Sequence, residues 1–199
     1  MRAASWMAMV GLLLAACAGG SVQVKDVWTA PGTTRISFQK VAVFMADDDQ
    51  TTRRVAEDAL AARLSRTTTA VPGYQISLPP GARGDQIAQA LTAQGFDGAV
   101  VMRIVGSKQK TEVVPTPLAD PYFGFSPYWD LAWGAPGYVE TDTYTTVETN
   151  VYALTNAQQN LIWSSRSEAI DVADTKDLVD EVAAANGDKM REEGLLGKP

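Results

Sequence analysis

The 199-residue chain contains no histidine and a single cysteine, Cys17. The first absence excludes Ser-His-Asp and Cys-His nucleophilic machinery, His-ligated zinc and the imidazole proton shuttle. The second excludes a disulfide within one chain. No apolar run approaches the ~20 residues that a helix needs to span a bilayer. Neither a GxxxxGK phosphate loop nor a GxGxxG turn between a strand and a helix occurs. Basic residues are in deficit: 17 Lys and Arg against 23 Asp and Glu give a net charge of −6, which argues against capture of nucleic acid or of anionic lipid by charge. Any enzyme built on this chain would depend on carboxylates, Lys, Tyr or Ser. The sequence points to no catalytic residue, no metal and no cofactor. What is there, 46% hydrophobic and 20% charged residues, is the composition of an ordinary folded domain.

The start of the chain is an address. Arg2 supplies a short positive region and Trp6 to Ala16 an apolar run of about eleven residues, the pattern of a signal peptide rather than of a membrane span. The run closes on Leu14-Ala15-Ala16-Cys17, which resembles the lipobox of bacterial lipoproteins. That resemblance implies cleavage of residues 1–16, acylation of Cys17, and a membrane as partner through the covalent lipid. Ala18 stands where an Asp would mark inner-membrane retention in enteric lipoproteins, so the same resemblance implies the outer membrane, periplasmic side. Residues 17–35, rich in Gly, Ser and Thr and carrying Pro31, read as a lipidated tether with a reach of roughly 25 Å. Trp28 within it is expected to dock on the folded body, because burying a large aromatic removes ~150–250 Å² from water.

Residues 36–199 read as a single α/β domain. Phe38 to Met45 is apolar and β-branched, a buried strand, followed by Asp47-Asp48-Asp49 as helix-start residues. Thr51 to Arg66 sets Val55, Ala56, Ala59, Leu60 and Leu64 on one helical face. Val71 to Leu78 is a weaker strand. Asp85 suits an N-cap for a second helix with Ile87, Ala88 and Leu91 inward, and Gly95 sits where a C′ glycine ends it. Gly98 to Val105 is a continuous apolar run, the pattern of a central strand covered on both faces. Tyr138 to Leu154 alternates strictly, a long strand with one wet face. Leu161 to Ile170 is its hairpin partner, and Asp174 caps a final helix with Leu178, Val179, Val182, Ala183 and Met190 inward. The expected fold is a mixed sheet of about five strands in the order β-α-β-α-β-β-α with three helices.

Before the final hairpin lies residues 115–137, rich in Pro and Gly yet holding Tyr122, Phe123, Phe125, Tyr128, Trp129 and Trp133. A long insert without periodicity inside a compact domain is functional or disordered, and its aromatic load argues against plain disorder. These six rings either cover the open side of the sheet, over Tyr144 and Tyr152, or form an interaction surface for a protein, a sugar or the membrane interface.

Other candidates for chemistry read more simply as structure. Glu140 and Asp142 share one strand face at roughly 6–8 Å, near the spacing of inverting glycosidases, but alternating carboxylates also solvate an open strand face. Asp47, Asp48 and Asp49 lack the D-x-D-x-D-G calcium spacing and suit a helix start, where negative charge opposes the macrodipole. Arg53, Arg54, Arg63 and Arg66 make a mildly basic helix face. Arg103, Lys108 and Lys110 follow the central strand.

The stretches KVAVFMADDDQTTRRVAEDALAARL, GFDGAVVMRIV, TYTTVETNVYALTNAQQNLIWSSRSE, the aromatic insert and the closing helix resemble a group of Gram-negative lipoproteins that carry a small domain of unknown function. The element order is also similar to the small α/β domain of the curli-secretion lipoprotein and to the amino-terminal domain of the Tol-system propeller protein. The resemblance brings no catalytic residues with it. The expected function is a lipid-anchored, non-catalytic interaction or assembly module, partnered by an envelope protein or by itself. A binding protein for glycan or a small hydrophobic ligand and a carboxylate-dependent hydrolase are the alternatives.

Overall fold

The computed structural model describes residues 22–114, 138–155 and 158–196. Cys17 and the insert 115–137 lie outside these residues. Among the described residues six strands form one mixed sheet: β1 (Val22–Thr29), β2 (Lys40–Met45), β3 (Thr69–Pro72), β4 (Gly98–Val114), β5 (Tyr138–Thr155) and β6 (Gln158–Ile170), in the spatial order β1-β6-β5-β4-β2-β3. Among the described residues three helices accompany it: α1 (Gln50–Leu64), α2 (Asp85–Ala93) and α3 (Thr175–Glu192). The α/β class, the mixed sheet and the three helices agree with the sequence expectation, with one strand more. None of these helices is long and apolar enough to cross a membrane.

That extra strand corrects the reading of 17–35 as tether. Val22–Thr29 runs antiparallel to β6 as the sheet's edge. Trp28 sits on it 47% exposed rather than buried, because it lies opposite Ser164 on the face away from α3.

The parallel part follows from two crossovers. β2 pairs in parallel with both β3 and β4, so α1 carries the chain outward to β3 and α2 returns it across β2 to β4. The sheet's two faces are therefore covered separately. Val41, Val43 and Met45 of β2, Val100 and Met102 of β4, Val147 and Val151 of β5 and Trp163 of β6 pack with α1 and α3. Ala42, Ala99 and Leu154 pack with Ala88 and Leu91 of α2 and with Phe96. The second layer is small, and it leaves Val101 only half-buried. The expectation that β4 is covered on both faces thus holds only at its start.

Helix ends are set by local chemistry. Asp49 caps α1, its carboxylate accepting from the Thr52 amide at 2.7 Å. Asp174 caps α3, accepting from the amides of Lys176 and Asp177. For α2 the cap is Gly84 at φ 49°, and Asp85 is the first helical residue. Gly95 ends α2 at φ 79°, with the Phe96 amide donating to the Leu91 carbonyl at 3.1 Å and the Gly95 amide to Thr92 at 3.0 Å, the paired bonds of a Schellman motif. Gly194 repeats the arrangement after α3, where Leu195 donates to Met190 at 2.8 Å.

On α1 the buried stripe is Ala56, Glu57, Ala59, Leu60 and Ala61. Val55, expected inward, is exposed, and Glu57 takes the inward place beside Ala56. Its two carboxylate oxygens accept from the Met45 amide at 3.3 Å and the Tyr74 amide at 2.8 Å. The helix is thereby clipped to the end of β2 and to the turn after β3. A second polar cluster ties α3 to the sheet: Asn186 donates to Thr149 Oγ1 at 3.1 Å and accepts from Ser165 Oγ at 2.9 Å and Ser167 Oγ at 3.1 Å.

Candidate functional site: a two-stranded arm

β4 and β5, of 17 and 18 residues, outrun their outer neighbours β2, of 6, and β6, of 13. β2 accompanies β4 only from Gly98 to Met102, and β6 accompanies β5 only as far as Tyr144, opposite Ile170. Beyond these points the two strands continue alone, pairing from Gln109 with Thr143 out to Val114 with Tyr138. At ~3.3 Å per residue the unaccompanied ribbon is about 20 Å long. It begins just past an irregularity between Ile104 and Gly106, a bulge of the kind that bends and twists a strand out of its sheet.

The arm's base is fixed on the β5 side by Asp171, which ends β6. Asp171 adopts φ 55°, a conformation that Asp tolerates better than bulkier residues. Its carboxylate accepts from the Thr143 amide at 2.7 Å, and its own amide donates to the Thr143 carbonyl at 2.9 Å. These bonds occupy the edge of β5 where β6 stops.

The two faces of the arm differ. One continues the helix-covered face of the sheet and is hydroxyl-rich: Ser107, Gln109 and Thr111 lie opposite Thr145, Thr143 and Thr141, and the Thr111 and Thr141 hydroxyls are 3.1 Å apart. The other continues the open face and is charged. Glu168 of β6 is held by Lys25 of β1 and Lys108 of β4, each at 3.3 Å. Lys108 lies 5.5 Å from the Tyr144 ring centre, and the Tyr144 hydroxyl donates to Asp142 at 3.3 Å. Lys110 pairs with Glu112. Burial pushes the Glu168 carboxyl up, but hydrogen bonds and charge from Lys108 and Lys25 outweigh it and hold the group below the usual carboxylate range. Desolvation and the neighbouring Asp142 carboxylate push the Tyr144 phenol up.

At the tip, Val113 and Val139 are cross-strand partners, and Tyr138 lies opposite Val114. Val113 is 68% exposed, Val139 66% and Tyr138 53%.

The sequence-stated candidates distribute as follows. Cys17 and the six aromatic residues Tyr122, Phe123, Phe125, Tyr128, Trp129 and Trp133 lie outside the described residues. Glu140 stands exposed opposite Glu112, and Asp142 is engaged by Tyr144, so these two carboxylates are arm-face residues and do not converge on a cleft. Asp47 accepts from the Asp49 amide at 2.8 Å, and Asp49, held low by the Thr52 backbone amide, is the helix cap. A cleft of about 500 Å³ opens there, lined by Met45, Ala46, Asp47, Asp48 and Arg53. Among the described residues no three His, Cys, Asp or Glu are grouped to hold a metal ion. Arg103 lies opposite Glu148, and Arg54 lies 5.6 Å from the Tyr74 ring. Sequence reasoning missed Asp171, Glu57 and Asn186. Only Glu57 carried a signal, its place between Ala56 and Leu60 on the inward stripe.

No protein-family model matches the chain, and no curated protein matches it. Solved structures similar to it include the PelC dodecamer from Paraburkholderia phytofirmans, at 9% identity and TM-score 0.46 over 87% of this chain and 98% of that one. Lipoprotein GNA1162 from Neisseria meningitidis is similar at 9% identity and TM-score 0.40, over 77% of this chain and 99% of that one. TolB from Acinetobacter baumannii is among them at 11% identity and TM-score 0.37, over 85% of this chain and 32% of that one.

Proposed function

We propose that this chain is a lipid-anchored envelope protein, attached through Cys17 to the outer membrane on its periplasmic side, that works as a non-catalytic interaction or assembly module. Tyr122, Phe123, Phe125, Tyr128, Trp129 and Trp133 form its contact surface, and its partner is another envelope protein or a second copy of itself. The observation that carries this reading is where the insert is attached. The chain leaves the described structure at Val114 and returns at Tyr138, which are opposite one another at the end of the arm. A ribbon with both edges free and little apolar cover is marginal by itself, so a fold that extends one for about six residue pairs gains little stability from it. On this reading the arm serves to carry the insert's two attachment points, Val114 and Tyr138, out beyond the rest of the sheet.

The test is replacement of Trp129 and Trp133 by alanine in the full-length lipoprotein. Exposed aromatic anchors dominate interface energies at ~2 kcal/mol or more each. The double variant is expected to keep its melting temperature and lose crosslinked complexes in the envelope. A drop in stability of several kcal/mol, as large-to-small core changes give, would return these rings to the sheet and overturn the reading.

A further inference from the structure

The strand directions fix which end of the domain faces the anchor. β1 is antiparallel to β6 and β6 antiparallel to β5, so β1 and β5 run the same way. Val22 at the start of β1 lies level with Ala169, which lies level with Thr145 of β5 and through it with Ser107 of β4. The chain enters β1 from the side towards which the arm extends. Only Ala18 to Ser21 separate Cys17 from Val22, a connection that spans at most about 18 Å.

That length decides between the two ends of the domain. Thr29, at the far end of β1, is seven residues from Val22, about 23 Å at strand rise, so the far end lies beyond the reach of the anchor. The arm tip is also seven residues from the Val22 level, from Thr145 to Tyr138. Adjacent strands rotate by about 20–25°, and two such steps turn the arm about 45° from β1, so its ~23 Å project to roughly 16 Å along the direction from which the chain enters. A fully extended connection of ~18 Å therefore carries the anchor as far as the tip.

What the tip presents at that height suits a lipid surface. Val113, Val139 and Tyr138 are the most exposed large apolar side chains of the described residues. They are clustered at one end, whereas isolated exposed apolar residues are unremarkable anywhere on a protein. The arm's Lys108 and Lys110 are matched by Glu112, Glu140 and Asp142, and both lysines are already paired, with Glu168 and Glu112. The contact is thus apolar in character, with Tyr138 suited to the interface by its ring and hydroxyl.

We propose that the tip of the β4–β5 arm, through Val113, Tyr138 and Val139, rests in the interfacial region of the same bilayer that holds the Cys17 lipid, standing the domain on two points. This rests on the lipid-anchor reading above, and it places the module's partners at the membrane surface.

The experiment uses the processed full-length lipoprotein in vesicles of phosphatidylethanolamine and phosphatidylglycerol carrying acyl-chain nitroxides. An environment-sensitive fluorophore is attached through Val113→Cys and, in a separate sample, through Thr67→Cys at the far end of the domain. The expected result is a blue shift and strong lipid quenching at position 113, water-like emission at position 67, and no reversal of either by salt. Adding Val139→Asp should return the 113 label to water-like emission while the protein stays on the vesicles. A 113 label as water-exposed as the 67 label on bound protein overturns the proposal, as does a label shielded from aqueous quencher but untouched by the lipid nitroxides, which would assign the tip to a protein contact. Two fluorophores per chain by mass, with no vesicle binding, would instead show that Cys17 is unacylated and that the anchor reading itself has failed, and this proposal with it.

Discussion

Replacing Asn186 by alanine removes a side chain that links α3 to both β5 and β6 through hydrogen bonds. The residue is 3% exposed and its three partners are buried as well: Thr149 3%, Ser165 2% and Ser167 0%. The amide uses one donor hydrogen on Thr149 and its oxygen on both serines, and the described residues contain no buried side-chain N or O atom without a partner. Truncation removes three bonds and strands three hydroxyls in a dry interface. At a net ~1 kcal/mol for each neutral hydrogen bond, less up to ~0.7 kcal/mol regained from alanine's helix propensity, the expected loss is about 2–3 kcal/mol. Against a typical domain stability of ~5–15 kcal/mol this is a large, readable fraction. Urea unfolding followed by far-UV circular dichroism should show a lower midpoint with unchanged slope. A combined variant, Asn186→Leu with Thr149→Val, Ser165→Ala and Ser167→Ala, removes both sides of every bond and should recover most of the loss, because a cluster replaced whole by apolar groups leaves nothing unsatisfied. An Asn186→Ala midpoint within ~0.5 kcal/mol of the parent would show that this cluster does not hold α3 to the sheet.

Two further changes probe different terms. Gly187→Ala should raise stability by ~0.5–1 kcal/mol in the same unfolding experiment, since a Cβ there meets only the Arg191 guanidinium at 3.7 Å, an ordinary contact. Glu168 has a folded-state pKa held below its unfolded one by Lys108 and Lys25, so the stability it contributes is present above the usual carboxylate range and is lost as pH falls through the depressed value. Titrating unfolding below about pH 4 should therefore give a shallower acid limb for Glu168→Gln than for the parent, and parallel limbs would show that the Lys25–Glu168–Lys108 bridge contributes nothing.

The elements legible in the sequence are those whose period is unbroken. β5 alternates without interruption, and its Val147, Thr149 and Val151 are buried as that pattern requires. α3 starts at Asp174 and buries Leu178, Val179 and Val182. β1 was hidden by an irregularity: the register slips between Val24 and Asp26, so its inward residues move from even positions, Val22 and Val24, to odd ones, Val27 and Thr29. The same device hid the length of β4. Its apolar run stops at Val105, where the register slips again, and the following SKQKTE stretch is polar because it lies in the arm with water on both faces. The inward place of Glu57 was legible but its role was not, because a carboxylate on a helix reads as solvated unless its two backbone donors, supplied by β2 and by the turn after β3, are already in view. Asp171 and Asn186 likewise act through partners that only the tertiary fold brings to them.

Whether Cys17 ties this domain to a membrane is decided by fractionating cells that express the full chain with Cys17→Ser. A lipid chain contributes ~0.8 kcal/mol per buried CH₂, and no described helix can replace it as an anchor. The variant, with its domain still folded, is expected to accumulate with its leader uncleaved or to appear in the soluble fraction. A Cys17→Ser protein that is still processed and still firmly bound to the membrane would contradict that anchorage.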